Sequence, residues 1–169
     1  ADWAVVQEVE ETPGIVYKPL FSYEMVGLCA KDHPLAAKDI WQAEDFIDQT
    51  LITYPVPDDM LDLLRKVLHP KGINPTRRTS ELTIAIIQLV ASKRGVAALP
   101  FWAAKPYLDR GYIVARKITE QGLHSNLYAA TRELDSQMAF VDDFYETVKA
   151  QSFSTLPELS ILEEISLYV

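Results

Sequence analysis

A chain of 169 residues, 49% of them hydrophobic and 24% charged, holds enough apolar material for one compact domain or two small lobes, and too much to remain disordered. A formal charge of −8 argues against this chain gripping a phosphate backbone by itself, and the single cysteine, Cys29, cannot close an internal disulfide. No apolar run approaches the ~20 residues of a membrane helix, so a soluble protein is expected.

The acidity sits at the ends. Residues 1–12 carry Asp2, Glu8, Glu10 and Glu11 with no base, and residues 135–169 carry seven acids against Lys149, which leaves the middle nearly neutral. Solvated end faces account for this, as does a chain whose two ends share one lobe while its middle forms another. Trp3-Ala4-Val5-Val6 reads as a short buried strand entered without a turn, and no starting Met or leader precedes it. The chain is therefore expected to be a piece of something longer.

After a Pro13-Gly14 turn, Ile15 to Leu20 and Tyr23 to Ala30 read as two extended segments. Pro34 ends the second, Glu44 to Ile47 gives one helical turn, and Thr50 to Tyr54 is a strand. Pro55 and Pro57 prepare a helix with Asp58 and Asp59 in its first turn and Leu61, Leu64 and Leu68 on one face, closed by Lys71 and Gly72. A strand at Thr76 to Thr79 leads to Ser80 as N-cap of a helix from Leu82 to Ala91, apolar nearly all round and so expected to be buried. Lys93 and Arg94 suit its last turn, with Gly95 as the left-handed residue beyond. Strands at Val96 to Leu99, Tyr112 to Ile118 and Leu127 to Thr131 follow, with a short helix through Pro106 to Arg110. A last amphipathic helix after Asp135 or Ser136 turns Val141, Phe144, Tyr145 and Val148 inward, and the tail from Phe153 onward is partly helical or loosely docked. Strands alternating with helices predict an α/β fold with a mostly parallel sheet.

The chain shows no constellation for chemistry. His33, His69 and His124 are scattered in loops or helix ends, without the spacing of a zinc helix, and no glycine pattern cradles a phosphate. Cys29 lies in a strand as a small hydrophobe. The acidic pairs Glu44-Asp45 and Asp58-Asp59 suit helix first turns better than a shared target. No catalytic residue, metal or cofactor is called for, and the chain is not expected to be an enzyme. It offers binding places instead. The strand-end loops Tyr54-Pro55-Val56-Pro57 and Thr79-Ser80-Glu81-Leu82-Thr83, with Leu99-Pro100-Phe101 as a third wall, lie where open α/β sheets collect ligands.

Pro19-Leu20-Phe21 running into a strand, Asp32-His33-Pro34-Leu35-Ala36, and Gly95-Val96-Ala97-Ala98-Leu99-Pro100 resemble, in order and spacing over residues 3–150, the effector-binding domain of LysR-type transcriptional regulators. Leu51 to Val56 and Leu127 to Arg132 look closer still to the members of that family that govern methionine biosynthesis. The resemblance implies a periplasmic-binding-protein-like fold, with two Rossmann-like lobes joined by two crossing strands near Leu20–Tyr23 and Ala130–Leu134. Residues 1–20 and 133–152 would belong to a first lobe incomplete in this chain, 21–132 to the second, and 153–169 to a C-terminal tail. It further implies a cytoplasmic regulator, a homodimer or homotetramer when whole, that contacts DNA through an N-terminal winged helix-turn-helix outside this chain and no membrane. Its effector, bound between the lobes, would be a small molecule, homocysteine on the closer likeness. The carboxylate would accept from the Leu82 and Thr83 N–H groups or the Ser80 and Thr83 hydroxyls, Glu81 would meet the ammonium, and Tyr54 and Leu99 would pack the thiol arm, beside Pro55, Val56 and Pro100. The rival is a solute-binding protein of a transport system with the same architecture.

Overall fold

A computed structural model describes residues 3–10 and 12–162, so the part of the expected tail at 163–169 lies outside the described residues. The chain divides into two compact units, one of residues 1–23 with 124–169 and the other of residues 24–123, and it passes from each to the other inside a strand. Residues 124–132, which the sequence places with the second lobe, pack with the first unit.

In the first unit, β1 (Trp3–Val6) lies antiparallel on β8 (Leu123–Arg132), with Trp3 opposite Thr131 and Val6 opposite Tyr128. The expectation of a buried strand is corrected here: β1 is the edge strand, so Ala4 and Val5 remain exposed. On the other side of β8 runs β2 (Ile15–Cys29), one unbroken strand where two segments are expected. Nothing interrupts it at Phe21-Ser22 because Leu20, Phe21 and Tyr23 are all buried along the extended run. The helix α3 (Ala139–Thr155) buries Val141 and Tyr145, and the Tyr145 hydroxyl donates to the Pro19 carbonyl at 2.5 Å. Phe144, expected inside, is half exposed and meets the Trp3 ring edge-on at 4.6 Å. The tail beyond α3 docks through a bridge between Ser22 and Ser160.

The second unit is built on the far half of β2. Met25 to Cys29 pairs antiparallel with both β6 (Ala97–Pro100) and β7 (Val114–Ile118), while β3 (Ile40–Trp41) adds parallel to β7. A parallel ribbon of β4 (Thr50–Thr53) and β5 (Thr76–Thr79) joins through a parallel bridge between Leu51 and Val96. The sheet is therefore mixed, not mostly parallel. Alternating elements imply crossovers, but they do not say that the long central strand runs against β6 and β7.

Period-two alternation sorts the core into two faces. Cys29, Leu51 and Val96 face one cluster with Trp41, Phe46, Leu64 and Leu68, whereas Val26, Leu28, Ile52, Ala97 and Leu99 face another with Ile86, Ile87 and Val90. The first cluster is roofed by a π-helix at Leu63–Leu68, flanked by 3₁₀ turns at Asp58–Met60 and His69–Lys71. Its wider turn brings Leu63 inside beside Leu64 and Leu68 and leaves Leu61 only half-buried, in place of the expected Leu61/Leu64/Leu68 stripe. The second cluster is roofed by α1 (Thr83–Ala91) and by α2 (Phe101–Asp109), which starts well before the expected turn and contains Pro106.

Three expectations on α1 are corrected. Leu82, not Ser80, occupies the N-cap position, and no side chain caps the helix. The helix is not buried all round, since Ile86, Ile87 and Val90 are covered while Ile84 is 45% exposed. The left-handed residue after it is Lys93, with φ 58°. Gly95 is needed for closeness instead, because a Cβ there would stand 2.3 Å from the Thr50 carbonyl oxygen, where β4 meets the start of β6.

Candidate functional site

β4 and β6 end side by side in the second unit, and the loop after β5 brings the start of α1 to the same end. The Tyr54 hydroxyl and Thr83 Oγ1 share a hydrogen bond of 2.5 Å, joining the strand-end loop after β4 to the first turn of α1. The Ser80 N–H donates to the Thr53 carbonyl at 2.9 Å, so Ser80 extends the ribbon where a cap is expected. With no side-chain cap, the N–H groups of the first turn of α1 have no partner within the helix and present the positive end of its dipole.

Beside Tyr54 opens a small hollow, lined by Tyr54 and Leu99 among the expected site residues and by Thr53, Met25, Leu61 and Leu64 among those not expected. Leu99 is almost fully buried and supplies a floor, whereas Pro55, Glu81 and Leu82 are exposed and Val56, Ser80 and Pro100 half-buried. The structure thus brings Tyr54 together with Thr83 at one point and with Leu99 at another. It does not place Pro55, Val56, Ser80, Glu81, Leu82 or Pro100 on the wall of the hollow.

Sequence reasoning missed Arg77. From β5 its Nη2 donates to Thr53 Oγ1 at 2.9 Å and to the Val56 carbonyl at 3.4 Å, and Nη1 pairs with Asp58. The guanidinium therefore ties the loop after β4 to the turn that precedes the π-helix. The only signal was an arginine in a short polar strand, Thr76 to Thr79, where a side chain of that length reaches across to the neighbouring strand end.

Burial pushes the Cys29 thiol up to about 11, against a smaller opposing pull from Arg116, so little thiolate exists near neutral pH. Lys93 holds the Asp32 carboxyl below its ordinary range, and Lys71 does the same for Glu44, both through surface pairs. Among the described residues, no group of three or more His, Cys, Asp or Glu side chains is placed to hold a metal ion. No helix among them is long and apolar enough to cross a membrane.

Residues 1–152 match the family model for the LysR substrate binding domain. The chain belongs to that family. Its mixed α/β fold is the periplasmic-binding-protein-like fold of LysR substrate-binding domains. This LysR domain is 68% identical over 162 residues to the HTH-type transcriptional regulator MetR of Haemophilus influenzae, covering 96% of the chain and 52% of that protein. With the HTH-type transcriptional regulator MetR of Escherichia coli it shares 35% identity over 156 residues, which is 92% of the chain and 49% of the relative. The solved regulatory domain of MetR from N. meningitidis, a LysR family regulator, superposes with a TM-score of 0.92 at 61% identity, over 96% of the chain and 76% of that domain. The chain spans about half the length of the curated relatives it matches. Those relatives are named as transcriptional regulators, not as enzymes.

Proposed function

We propose that this chain is the effector-sensing part of a cytoplasmic LysR-type transcriptional regulator of methionine biosynthesis, with homocysteine as its co-effector. The observation that carries the reading is the 68% identity to a regulator named MetR, sustained along nearly the whole chain. In this reading the longer protein reads DNA through an N-terminal winged helix-turn-helix outside the chain and works as a homodimer or homotetramer. In this reading the two compact units are the two lobes, residues 1–23 with 124–169 and residues 24–123, with the divisions shifted from the expected 20/21 and 132/133.

The proposed effector site is the strand end of the second unit. The effector carboxylate sits at the uncapped first turn of α1, accepting from the Leu82 and Thr83 N–H groups and the Ser80 and Thr83 hydroxyls. Glu81 receives the ammonium, and Tyr54 and Leu99 pack the thiol arm, with Pro55, Val56 and Pro100 as the surrounding loop. The support is the 2.5 Å link between Tyr54 and Thr83, which fixes a ring and a hydroxyl at this one end of the sheet. A ligand alters DNA affinity only through a difference in its own affinity for two arrangements of the regulator, so homocysteine binding and operator binding must be coupled reciprocally.

Calorimetric titration of the full-length regulator with homocysteine tests the assignment. The Glu81→Ala, Thr83→Ala double variant is expected to bind at least tenfold more weakly than the parent. An unchanged affinity in that variant refutes the placement at the start of α1.

A further inference from the structure

The chain beyond α3 leads back to the place where it crosses between its two units. Leu156 leaves the helix with extended backbone, Pro157 blocks any continuation, and Glu158 turns the chain with a left-handed φ of 59°. Such a φ is uncommon without glycine, so the turn is imposed by what surrounds it. Leu156, Pro157 and Leu159 are half-buried, and the Phe153 ring meets Phe21 edge-on at 6.2 Å. Ser160 then forms an isolated antiparallel bridge with Ser22, in which each N–H donates to the other's carbonyl at 2.9 Å. The Ser22 hydroxyl donates to the Ser125 carbonyl of β8 at 3.4 Å. Ser22 stands two residues before Glu24, where the second unit begins, and Ser125 two residues after Leu123, where it ends. Ser22 therefore joins the tail to both crossing strands.

We infer that residues 156–162 are a strap on the crossing strands, and that its attachment sets how strongly effector binding and operator binding influence one another. The inference goes beyond the effector-sensing reading above and rests on it for the two ligands. A hinge is a few residues that absorb a change in backbone angles. Any such change at residues 22–24 redirects the Ser22 N–H and carbonyl, which must point at Ser160 for both bonds to form. The bridge therefore favours one setting of the crossing strands over others, which is the condition for a contact to shift an equilibrium. It is also releasable. An isolated bridge lacks the neighbouring ladder bonds that make a strand open as one unit, and the side chains that pack the tail are only half-buried.

The experiment uses the full-length regulator in three variants: Ser160→Pro, which removes one donor of the bridge, Ser160→Ala, which keeps both main-chain bonds, and a truncation after Leu156. Hydrogen exchange reads the crossing segments 20–25 and 123–127, with α1 as the internal check on folding. Homocysteine titrations with and without operator DNA read the coupling, the ratio of the two affinities. Ser160→Pro and the truncation are expected to speed exchange in both crossing segments, to spare α1, and to change the coupling at least about threefold. Ser160→Ala is expected to match the parent. Ser160→Pro is the milder change and decides the matter if the truncation unfolds α1. Unchanged coupling in Ser160→Pro overturns the inference and leaves the effector-sensing reading intact. An equal change in Ser160→Ala overturns it too, since the main-chain bridge would then be irrelevant. If the parent binds no homocysteine, the effector assignment falls and operator affinity alone decides: a change of about threefold in Ser160→Pro sustains the strap, and an unchanged affinity overturns it as well.

Discussion

Gly27 shows how single residues here are set by what lies across from them. A Cβ at this position would stand 2.4 Å from the Trp41 ring, and Trp41 is fully buried with its Nε1 donating to the Leu35 carbonyl at 2.9 Å. Moving the indole away would break that hydrogen bond or crowd the core around it. Gly27→Ala is therefore expected to lower stability by about 1–3 kcal/mol, the usual range for overpacking, read by urea unfolding. Gly95 obeys the same logic against the Thr50 carbonyl. Neither requirement is visible along the chain, because the partner lies far away in sequence. Cys29, by contrast, is legible: between Leu28 and Ala30 in an apolar strand, a small hydrophobe with a raised pKa is what burial produces.

At the scale of elements, α1 separates pattern from burial. Its composition predicts a helix covered on every side, yet only Ile86, Ile87 and Val90 are inside, and Leu82 and Ile84 remain exposed. Ile87→Ala is expected to cost about 2–5 kcal/mol, and Ile84→Ala no more than about 0.5 kcal/mol, in paired urea titrations. The period of 3.6 shows which residues share a face, whereas only the packing of the sheet decides which face is covered. The segment after Pro57 teaches the complementary point. Its leucines mark a helix, but the π-geometry of Leu63–Leu68, with Leu63 buried beside Leu64 and Leu68, has no signature in propensity.

At the scale of the whole molecule, charge and connectivity carry the argument. A chain of formal charge −8 that belongs to the LysR substrate-binding family should contribute nothing to DNA affinity through its own surface. Electrophoretic mobility assays with this chain alone, at about 0.15 M salt, are expected to leave operator DNA unshifted. The full-length regulator retards the same DNA if the proposed reading holds. The acidic ends also find a place: the described acids of both ends, Glu8 and Glu10 on one side and Asp135, Asp142, Asp143, Glu146 and Glu158 on the other, belong to the same unit, while the near-neutral middle folds as the other.

The amino-acid order alone established the α/β class, the run of strands and helices, the strand-end loops and the family likeness, because periodicity, turn residues and short motifs are local and survive being read one residue at a time. Strand direction, the exposed face of α1, the closeness that Gly27 and Gly95 allow, and the role of Arg77 across the ribbon came only from the tertiary structure. Each depends on pairs of residues distant in sequence, and no local preference encodes which distant neighbour arrives. The initial arithmetic of length and charge allowed one domain or two lobes. The fold forms two compact units, with the described acids of both ends in one of them, because which stretches of chain pack together depends on contacts between residues distant in sequence.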